Sequence, residues 1–290
     1  MAVKSKIWEC QSELSRRGFL KAGAGAFAIV AAANLRSARA ADSDVIRVGL
    51  IGCGGRGRYD TANCLKAAPG VELVAMGDLF KDQLDTCLEN LRKEFGDKIK
   101  VTPETCFTGW DAYQKVIDAD VDLVILTTPP HFRPQHFRAA VEANKHVFME
   151  KPVAVDPAGV RSVIETSELA DQKNLTVVAG TQARRMNHRI ELVKRIRNGD
   201  IGELISGQCV RTGDAMGGWG PQERKPGMTD MEWQLRRWLF HTWLSGDFIV
   251  EMHIHELDIV NWLIGDHPVR CMGIGGRQVR TDTHLFGDSF

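Results

Sequence analysis

The sequence lacks the features that would place it at once in a familiar class. It has no excess of either charge, with 37 basic and 37 acidic side chains among 290 residues, so nothing points to nucleic acid or to an anionic membrane surface as a partner. It has no C-x-x-C pair, and its seven cysteines are scattered, so we expect free, mostly structural thiols. The 43% of hydrophobic residues can form substantial cores and argues against global disorder, and a length of 290 residues predicts two domains.

The first forty residues differ in composition from the rest. S-R-R-G-F-L-K at residues 15–21 precedes an apolar stretch at 22–33 and A-R-A at 38–40. This pattern is typical of a twin-arginine signal with cleavage after residue 40, and the apolar stretch is shorter than the ~20 residues of a membrane span. A retained anchor is the alternative. We predict a signal peptide at 1–40, a periplasmic protein without a stable membrane span and, because the Tat route exports folded chains, a tightly bound cofactor.

From residue 45 onward, short apolar runs alternate with helical patterns. The predicted strands are residues 46–51, 71–75, 123–127, 146–149 and 176–179. The predicted helices between them are residues 58–68, 81–95, 134–143 and 157–173. This alternation predicts an α/β Rossmann domain at 45–180, with a doubly wound parallel sheet and right-handed crossovers.

The pattern changes after residue 180. A helix at 187–198, a strand at 203–211 and a second strand at 269–280 predict an α+β domain at 181–290, built on a largely antiparallel sheet. So few strands make a marginal sheet, so we expect this domain to be incomplete and the sequence to be C-terminally truncated.

A glycine motif, G-x-G-x-x-G, directly follows the first predicted strand and directly precedes a helix. In this context Gly52 permits a tight turn, Gly54 lets a pyrophosphate approach the backbone, and Gly57 allows close packing of helix on strand. The helix N-terminus supplies N–H donors to the phosphates. The motif predicts a dinucleotide site, although an ordinary glycine loop is the alternative.

The second predicted strand ends near Asp78, twenty-one residues beyond Gly57. A carboxylate here accepts hydrogen bonds from the adenosine 2′-OH and repels a 2′-phosphate, which favours NAD over NADP. The alternative role of Asp78 is the N-cap of the following helix. Lys81 and Arg56 would weaken the discrimination, so NADP stays possible.

Two further segments, T-T-P-P-H-F-R-P-Q-H at 127–136 and K-H-V-F-M-E-K-P at 145–152, make the sequence resemble one family. With the glycine motif they are similar to the Gfo/Idh/MocA oxidoreductases, which include glucose-fructose oxidoreductase and inositol dehydrogenase. The resemblance extends from about residue 45 to the chain end. It implies that Lys151 of the E-K-P element lies beside the nicotinamide and hydrogen-bonds the reacting hydroxyl. It also implies that the peptide bond between this lysine and the following proline is often cis. The alternative is a surface lysine. The candidate cofactor contacts are Gly52, Gly54, Gly55, Arg56, Gly57, Asp78, Thr128, Pro129, His131, Glu150, Lys151 and Gln182.

A second motif, E-M-H-I-H-E-L-D at 251–258, matches the family's D-x-x-x-H with a further Asp. The resemblance implies that His255 is the catalytic base. If both residues belong to one helix, Glu251 and His255 share a helix face at i, i+4, and the carboxylate would orient the imidazole. Glu in place of Asp departs from the family and leaves the role of the acid open. The alternatives are core histidines at 253 and 255, or a metal site formed with Glu251 and Asp258; we assign no metal.

Candidate substrate contacts are Arg184, Trp238 and Asp258, and four tryptophans at 219–243 would stack on sugar faces or pack against another subunit.

The leading hypothesis is an NAD(P)-dependent oxidoreductase that interconverts a secondary hydroxyl and a ketone on a sugar, polyol or glycoside. One alternative is a glycosidase resembling the family's NAD-dependent α-N-acetylgalactosaminidases, which use transient oxidation and elimination. The other is a non-catalytic sugar or nucleotide sensor. The expected partner is a small-molecule sugar or polyol, with no nucleic acid, and the full-length form is expected to be a homo-oligomer.

Overall fold

The computed structural model describes residues 45–212 and 222–276. The predicted signal peptide and Trp219 therefore lie outside the described residues. The six cysteines between Cys53 and Cys271 are all free thiols, as the sequence predicts.

Six parallel strands form one sheet in the order β3-β2-β1-β4-β5-β6. The strands are β1 Ile46–Ile51, β2 Val71–Asp78, β3 Cys106–Thr108, β4 Leu123–Leu126, β5 His146–Met149 and β6 Val177–Ala179. The chain order reverses between β1 and β4, and open α/β sheets bind ligands at the carboxyl ends of strands at such a switch point. The predicted Rossmann sheet is confirmed, and the site is expected at these strand ends.

Five helices cover the two faces of the sheet. They are α1 Gly55–Ala67, α2 Lys81–Phe95, α3 Ala112–Asp118, α4 Arg133–Glu142 and α5 Pro157–Gln172. Leu65 of α1 and Leu91 of α2 pack in one buried core, whereas Val116 of α3 and Phe137 of α4 pack in the other. Each predicted helix and strand of this region forms, with ends displaced by no more than three residues.

The local sequence fixes where α5 begins. Asp156 caps the helix by accepting a hydrogen bond of 2.7 Å from the Gly159 N–H, and Pro157 occupies the first helical position. This N-terminus sets the position of the turn that follows β5, where the E-K-P element lies.

Beyond β6 the described residues form helices and coil. The helices are α6 Asn187–Arg197, α7 Asp230–Arg236, α8 Thr242–Ser245, α9 Asp247–Glu251 and α10 Ile254–Ile264. The strand predicted at 203–211 is absent, and so is the described part, 269–276, of the second predicted strand. A strand needs a ladder partner for its N–H and C=O groups, and no described segment offers one here. The antiparallel sheet stays a prediction.

Large apolar side chains are exposed in this second region. Ile205 is 83% and Met272 94% exposed. Such surfaces normally meet another surface, but the predicted homo-oligomer stays a prediction. Among the described residues, each helix is too short or too polar to cross a membrane.

Candidate active site

The glycine motif forms the turn between β1 and α1. Gly52 has φ of 98°, and a Cβ on it would lie 2.7 Å from the Thr128 backbone nitrogen. A Cβ on Gly57 would lie 2.0 Å from the Gly52 oxygen, so helix and strand meet there without room for a side chain. A Cβ on Gly54 would meet nothing within 4 Å. The space in front of Gly54 is therefore open at the N-terminus of α1, where a pyrophosphate would bind.

Asp78, the last residue of β2, holds this turn from the neighbouring strand. Its Oδ2 accepts a hydrogen bond of 2.6 Å from the Cys53 N–H, and its Oδ1 accepts one of 2.8 Å from the Phe80 N–H. Burial raises the pKa of Asp78, and the two backbone N–H groups oppose that shift. The N-cap of α2 is Phe80 rather than Asp78, so the alternative role as N-cap is wrong. Each carboxylate oxygen can accept more than one hydrogen bond, and Asp78 lines the adjoining cavity. Asp78 can therefore accept further hydrogen bonds from a group in that cavity.

A cavity of about 610 Å³ lies in front of the glycine turn. Its wall joins the Rossmann domain to the region around α7, and includes Gly54, Arg56, Asp78, Thr128, Pro129, Phe80, Trp110, Trp233, Arg236 and Trp238. This volume lies within the range of ~300–1,000 Å³ that is usual for small-molecule sites. The cavity thus has the open phosphate position, the acidic strand end and the enclosure that a dinucleotide needs.

Arg236 fastens α7 over one end of this cavity, and sequence reasoning did not assign it to the cofactor site. Its guanidinium pairs with Asp82 at 3.0 Å and lies 3.9 Å from the centre of the Phe80 ring. The pairing with Glu232, four residues earlier, is a pattern visible in the sequence. The contact with Asp82, 154 residues away, leaves no such signal.

Lys151 follows β5 and contacts the second region. Its Nζ donates hydrogen bonds to Oε1 of Glu251 at 2.5 Å and to the Glu251 backbone oxygen at 2.7 Å. Both side chains are only 10% exposed. An ammonium group has three donors, so one N–H of Lys151 has no hydrogen-bond partner among the described residues. The Lys151–Pro152 bond is cis.

Arg133 lies behind this turn. Its guanidinium donates to the backbone oxygens of Pro152 and Thr128, which ties the β5 turn to the β4 turn. Burial lowers its pKa to about 10, and the nearby carboxylates Glu251, Glu150 and Asp60 oppose the shift. Arg133 therefore stays charged at neutral pH and fixes the backbone on both sides of the lysine.

Glu251 differs from its predicted role. α9 ends at Glu251 and α10 begins at Ile254, so Glu251 and His255 do not share one continuous helix. Its Oε1 contacts Lys151, and its Oε2 is buried without a hydrogen-bond partner among the described residues. Burial raises the pKa of Glu251, and Lys151 opposes that shift. Glu251 thus orients the lysine, and the prediction that it orients the imidazole is wrong.

His255 lies in the first turn of α10 and is half-buried. Burial lowers the pKa of its imidazole, and the positive charges of Lys151, Arg211 and Arg56 lower it further, while Glu256 opposes them. The histidine is therefore within the electrostatic field of Lys151 and neutral at neutral pH. A neutral imidazole is the form that accepts a proton.

The remaining candidates are less uniform. Arg184 and Asp258 bind one another, with both Asp258 oxygens 2.9 Å from the Arg184 Nε, so they join the turn after β6 to α10. Their contact with a substrate stays a prediction. His131 packs edge-on against Trp243, with ring centres 5.0 Å apart. Gln182 is exposed in the turn after β6.

The lysine site and the cavity are adjacent but separate. Lys151, Glu251 and His255 are not part of the cavity wall, which covers the glycine turn and the ends of β1, β2 and β4. The cavity therefore marks the dinucleotide end, and the contact between Lys151 and Glu251 lies beyond it, at the end of β5. Among the described residues, no group of three His, Cys, Asp or Glu side chains has the arrangement of a metal site.

Comparison with known proteins agrees with this geometry. Residues 46–181 match the family model of the Gfo/Idh/MocA oxidoreductases, described as an oxidoreductase family with an NAD-binding Rossmann fold. A glycosyl hydrolase family 109 protein of Shewanella baltica is 29% identical over 218 residues, which cover 68% of this chain and 46% of the relative. An inositol 2-dehydrogenase of Serratia proteamaculans is 27% identical over 233 residues, which cover 80% of this chain and 58% of the relative. The chain thus spans about half the length of these curated relatives.

Solved structures share the fold. The myo-inositol 2-dehydrogenase of Lactobacillus plantarum superposes with a TM-score of 0.54 at 23% identity, covering 77% of this chain and 57% of that one. The scyllo-inositol dehydrogenase of Lactobacillus casei with bound NAD(H) and scyllo-inositol gives 0.53 at 22% identity, with the same two coverages of 77% and 57%. At these identities the likeness establishes the architecture alone.

Proposed function

We propose that the chain is an NAD-dependent oxidoreductase. The proposal starts from the match of residues 46–181 to the model of the Gfo/Idh/MocA oxidoreductase family, with its NAD-binding Rossmann fold. The enzyme interconverts a secondary hydroxyl and a ketone on a sugar, polyol or glycoside. The observation that carries the proposal is the contact of Lys151 with Glu251, 100 residues apart, beside an open dinucleotide cavity. A sensor would not need a buried ammonium group with one donor left to spare.

The side chains divide the chemistry between them. Lys151 donates its remaining N–H to the substrate oxygen and stabilises the negative charge that develops there. His255, held neutral, accepts the hydroxyl proton. Glu251 fixes the lysine, and Arg133 fixes the turn that carries it. Bound NAD supplies the acceptor for the hydride that leaves the substrate carbon.

The cofactor is proposed to be held tightly. The cavity is lined by the Rossmann turns and by α7, which Arg236 fastens to Asp82. The test is to release the nucleotide from purified protein, identify it, and then screen sugars, polyols and glycosides for reduction of the bound cofactor. Release of NAD and reduction by at least one class of sugar support the proposal, and protein that neither contains nor binds a nicotinamide nucleotide contradicts it.

The preference for NAD is proposed to rest on the charge of Asp78. Asp78→Asn keeps an acceptor for one backbone N–H but removes the repulsion of a 2′-phosphate, so we expect the ratio of the NADP to NAD dissociation constants to fall by roughly 10–100-fold. Fluorescence titration of nucleotide-free protein with each cofactor measures the ratio. Asp85→Asn, a change at an exposed acid of α2 that pairs with Lys81, is the control. An unchanged ratio of dissociation constants in Asp78→Asn would show that other residues determine the preference for NAD.

A second candidate is a glycosidase that oxidises its substrate transiently and eliminates the glycoside. It is supported by the relatives called glycosyl hydrolase family 109 proteins and by an α-N-acetylgalactosaminidase of Shewanella oneidensis, 30% identical over 169 residues, which cover 58% of this chain and 35% of that protein. The discriminating quantity is the net change in redox state. The glycosidase releases sugar with no net reduction of the cofactor, whereas the dehydrogenase accumulates reduced cofactor or an oxidised sugar.

Export through the Tat route remains part of the proposal. Replacing Arg16 and Arg17 together by Lys is expected to leave folded, cofactor-loaded precursor in the cytoplasm, because the twin arginines are the address that the translocase reads. Cell fractionation with an antibody against the chain measures the distribution. Equal periplasmic amounts of the double variant and the unchanged chain would refute the prediction.

A further inference from the structure

A second acidic residue lies under the lysine site and has no part in the chemistry described so far. Asp60 belongs to α1, one turn after the glycine motif, and only 9% of it is exposed. Its carboxyl lies near that of Glu150, the residue directly before Lys151, whose side chain is also buried. Arg56 lies beside both carboxyls, 3.6 Å from Asp60 Oδ1 and 3.9 Å from Glu150 Oε1.

Two buried carboxyls that lie near each other are stabilised when one of them carries a proton, because two ionised carboxylates repel each other and can only accept hydrogen bonds. Asp60 Oδ2 is buried and has no hydrogen-bond partner among the described residues. An ionised oxygen there would lose its hydration without compensation. A proton on Asp60, donated to Glu150, satisfies both groups.

The Glu150 carboxyl is closely packed and forms a hydrogen bond with the backbone of Lys151. A Cβ on Gly180 would lie 2.7 Å from Glu150 Oε1, so β6 closes one side of the carboxyl. Its Oε2 accepts a hydrogen bond of 3.0 Å from the Lys151 N–H. Movement of this carboxyl would therefore remove a hydrogen bond that holds the backbone N–H of the lysine.

We propose that Asp60 is a positioning residue of the active site, which shares one proton with Glu150 and thereby fixes the backbone of Lys151. The proposal rests on the function proposed for Lys151. When the shared proton is lost, the two carboxylates repel each other and a second negative charge is left beside the lysine. Asp60 thus makes the geometry of the site dependent on pH.

The surrounding charges set the range of this dependence. Arg56 of α1 and Arg133 of α4 face the pair with positive charge, and Glu251 of α9 adds a third carboxyl beyond Lys151. Burial, followed by the negative charge of Glu150, raises the pKa of Asp60 from 3.8 to about 7, while Arg56 opposes the shift. The folded chain therefore binds more protons than the unfolded chain between these two values, and its stability falls as pH rises through that interval.

The test of the shared proton needs no substrate. Asp60→Asn in the full chain replaces the protonated acid by a neutral group of the same shape that also donates to Glu150. Thermal unfolding is followed at about pH 5 and about pH 8.5. The variant is expected to melt close to the unchanged chain at the lower pH and several degrees above it at the higher pH. Asp171→Asn, at an exposed acid of α5, is the control.

Each result decides the proposal. A melting difference for Asp60→Asn that is the same at both pH values would show that Asp60 is ionised in both, and would overturn it. Failure of this variant to fold would also overturn it, because the amide reproduces the size, charge and donor of the protonated acid. A difference that appears only above neutral pH supports the shared proton, even if no sugar is found to reduce the cofactor.

Activity then tests the link to Lys151. Turnover of the cofactor-loaded chain is expected to decline above about pH 7, and Asp60→Asn is expected to abolish that decline while retaining the same amount of NAD. The same declining limb in both proteins would overturn the positioning role. If the unchanged chain has no turnover with any sugar, the proposed function fails, and the melting experiment still decides the shared proton.

Discussion

Replacing Gly54 by Val is expected to abolish retention of NAD while leaving the fold intact. A Cβ at this position meets nothing within 4 Å, so the chain itself has room for the side chain. That room is the space into which the N-terminus of α1 points and where the pyrophosphate would lie. The branched side chain would therefore displace the phosphates and nothing else. Nucleotide content per chain, measured after denaturation, gives the result.

Two glycines provide the comparison for this variant. Gly207→Val places the same side chain in exposed coil, with open space around it, and should retain NAD fully. Gly57→Val drives a Cβ to 2.0 Å from the Gly52 oxygen, so it should lower the melting temperature as well as the NAD content. Unchanged NAD content in Gly54→Val would remove the assignment of this turn to the cofactor.

Lys151→Met and His255→Ala are each expected to lower turnover by roughly 10²–10⁴-fold while NAD stays bound. The lysine variant loses the donor to the substrate oxygen, and the histidine variant loses the proton acceptor. Neither side chain forms part of the cavity wall in front of the glycine turn, so the nucleotide should be retained. Steady-state turnover and nucleotide content are measured on the same preparations.

Two control variants test whether the loss of turnover is specific to positions 151 and 255, or follows from removing any lysine or histidine. Lys115→Met removes an exposed lysine that pairs with Asp111 on α3, and His188→Ala removes an exposed histidine of α6. Both should keep full turnover. Normal turnover in His255→Ala would eliminate His255 as the proposed base. Loss of NAD from Lys151→Met would place the lysine at the cofactor instead.

The Rossmann half could be predicted because its signals are local. The strand at Ile46–Ile51, the helix Lys81–Phe95 and the glycine turn between β1 and α1 follow from hydrophobic period and glycine spacing. β3 and α3 were missed because three and seven residues are too short to show a period. Predictions of this kind work where a segment's own sequence decides its structure.

The site could be predicted only in part, because its contacts join distant segments. The motif at 251–258 suggested one helix, but α9 ends at Glu251, whose carboxyl is bound to Lys151. Asp60 lies in a helical pattern where an acid is expected to face solvent, and only the folded structure shows that it is buried near Glu150. Tertiary contacts of this kind leave no period in the sequence.

The most direct test of the central claim is a single turnover on bound cofactor. Purified chain loaded with NAD is mixed rapidly with the best sugar or glycoside from the screen, and the absorbance of reduced nicotinamide is followed. The dehydrogenase and the glycosidase both require this reduction, so it tests what they share. We expect reduced cofactor to form in the unchanged chain and to form at least about 100-fold more slowly in Lys151→Met. Equal rates in the two proteins, or no reduction in NAD-loaded unchanged chain with any sugar, polyol or glycoside, would contradict the account.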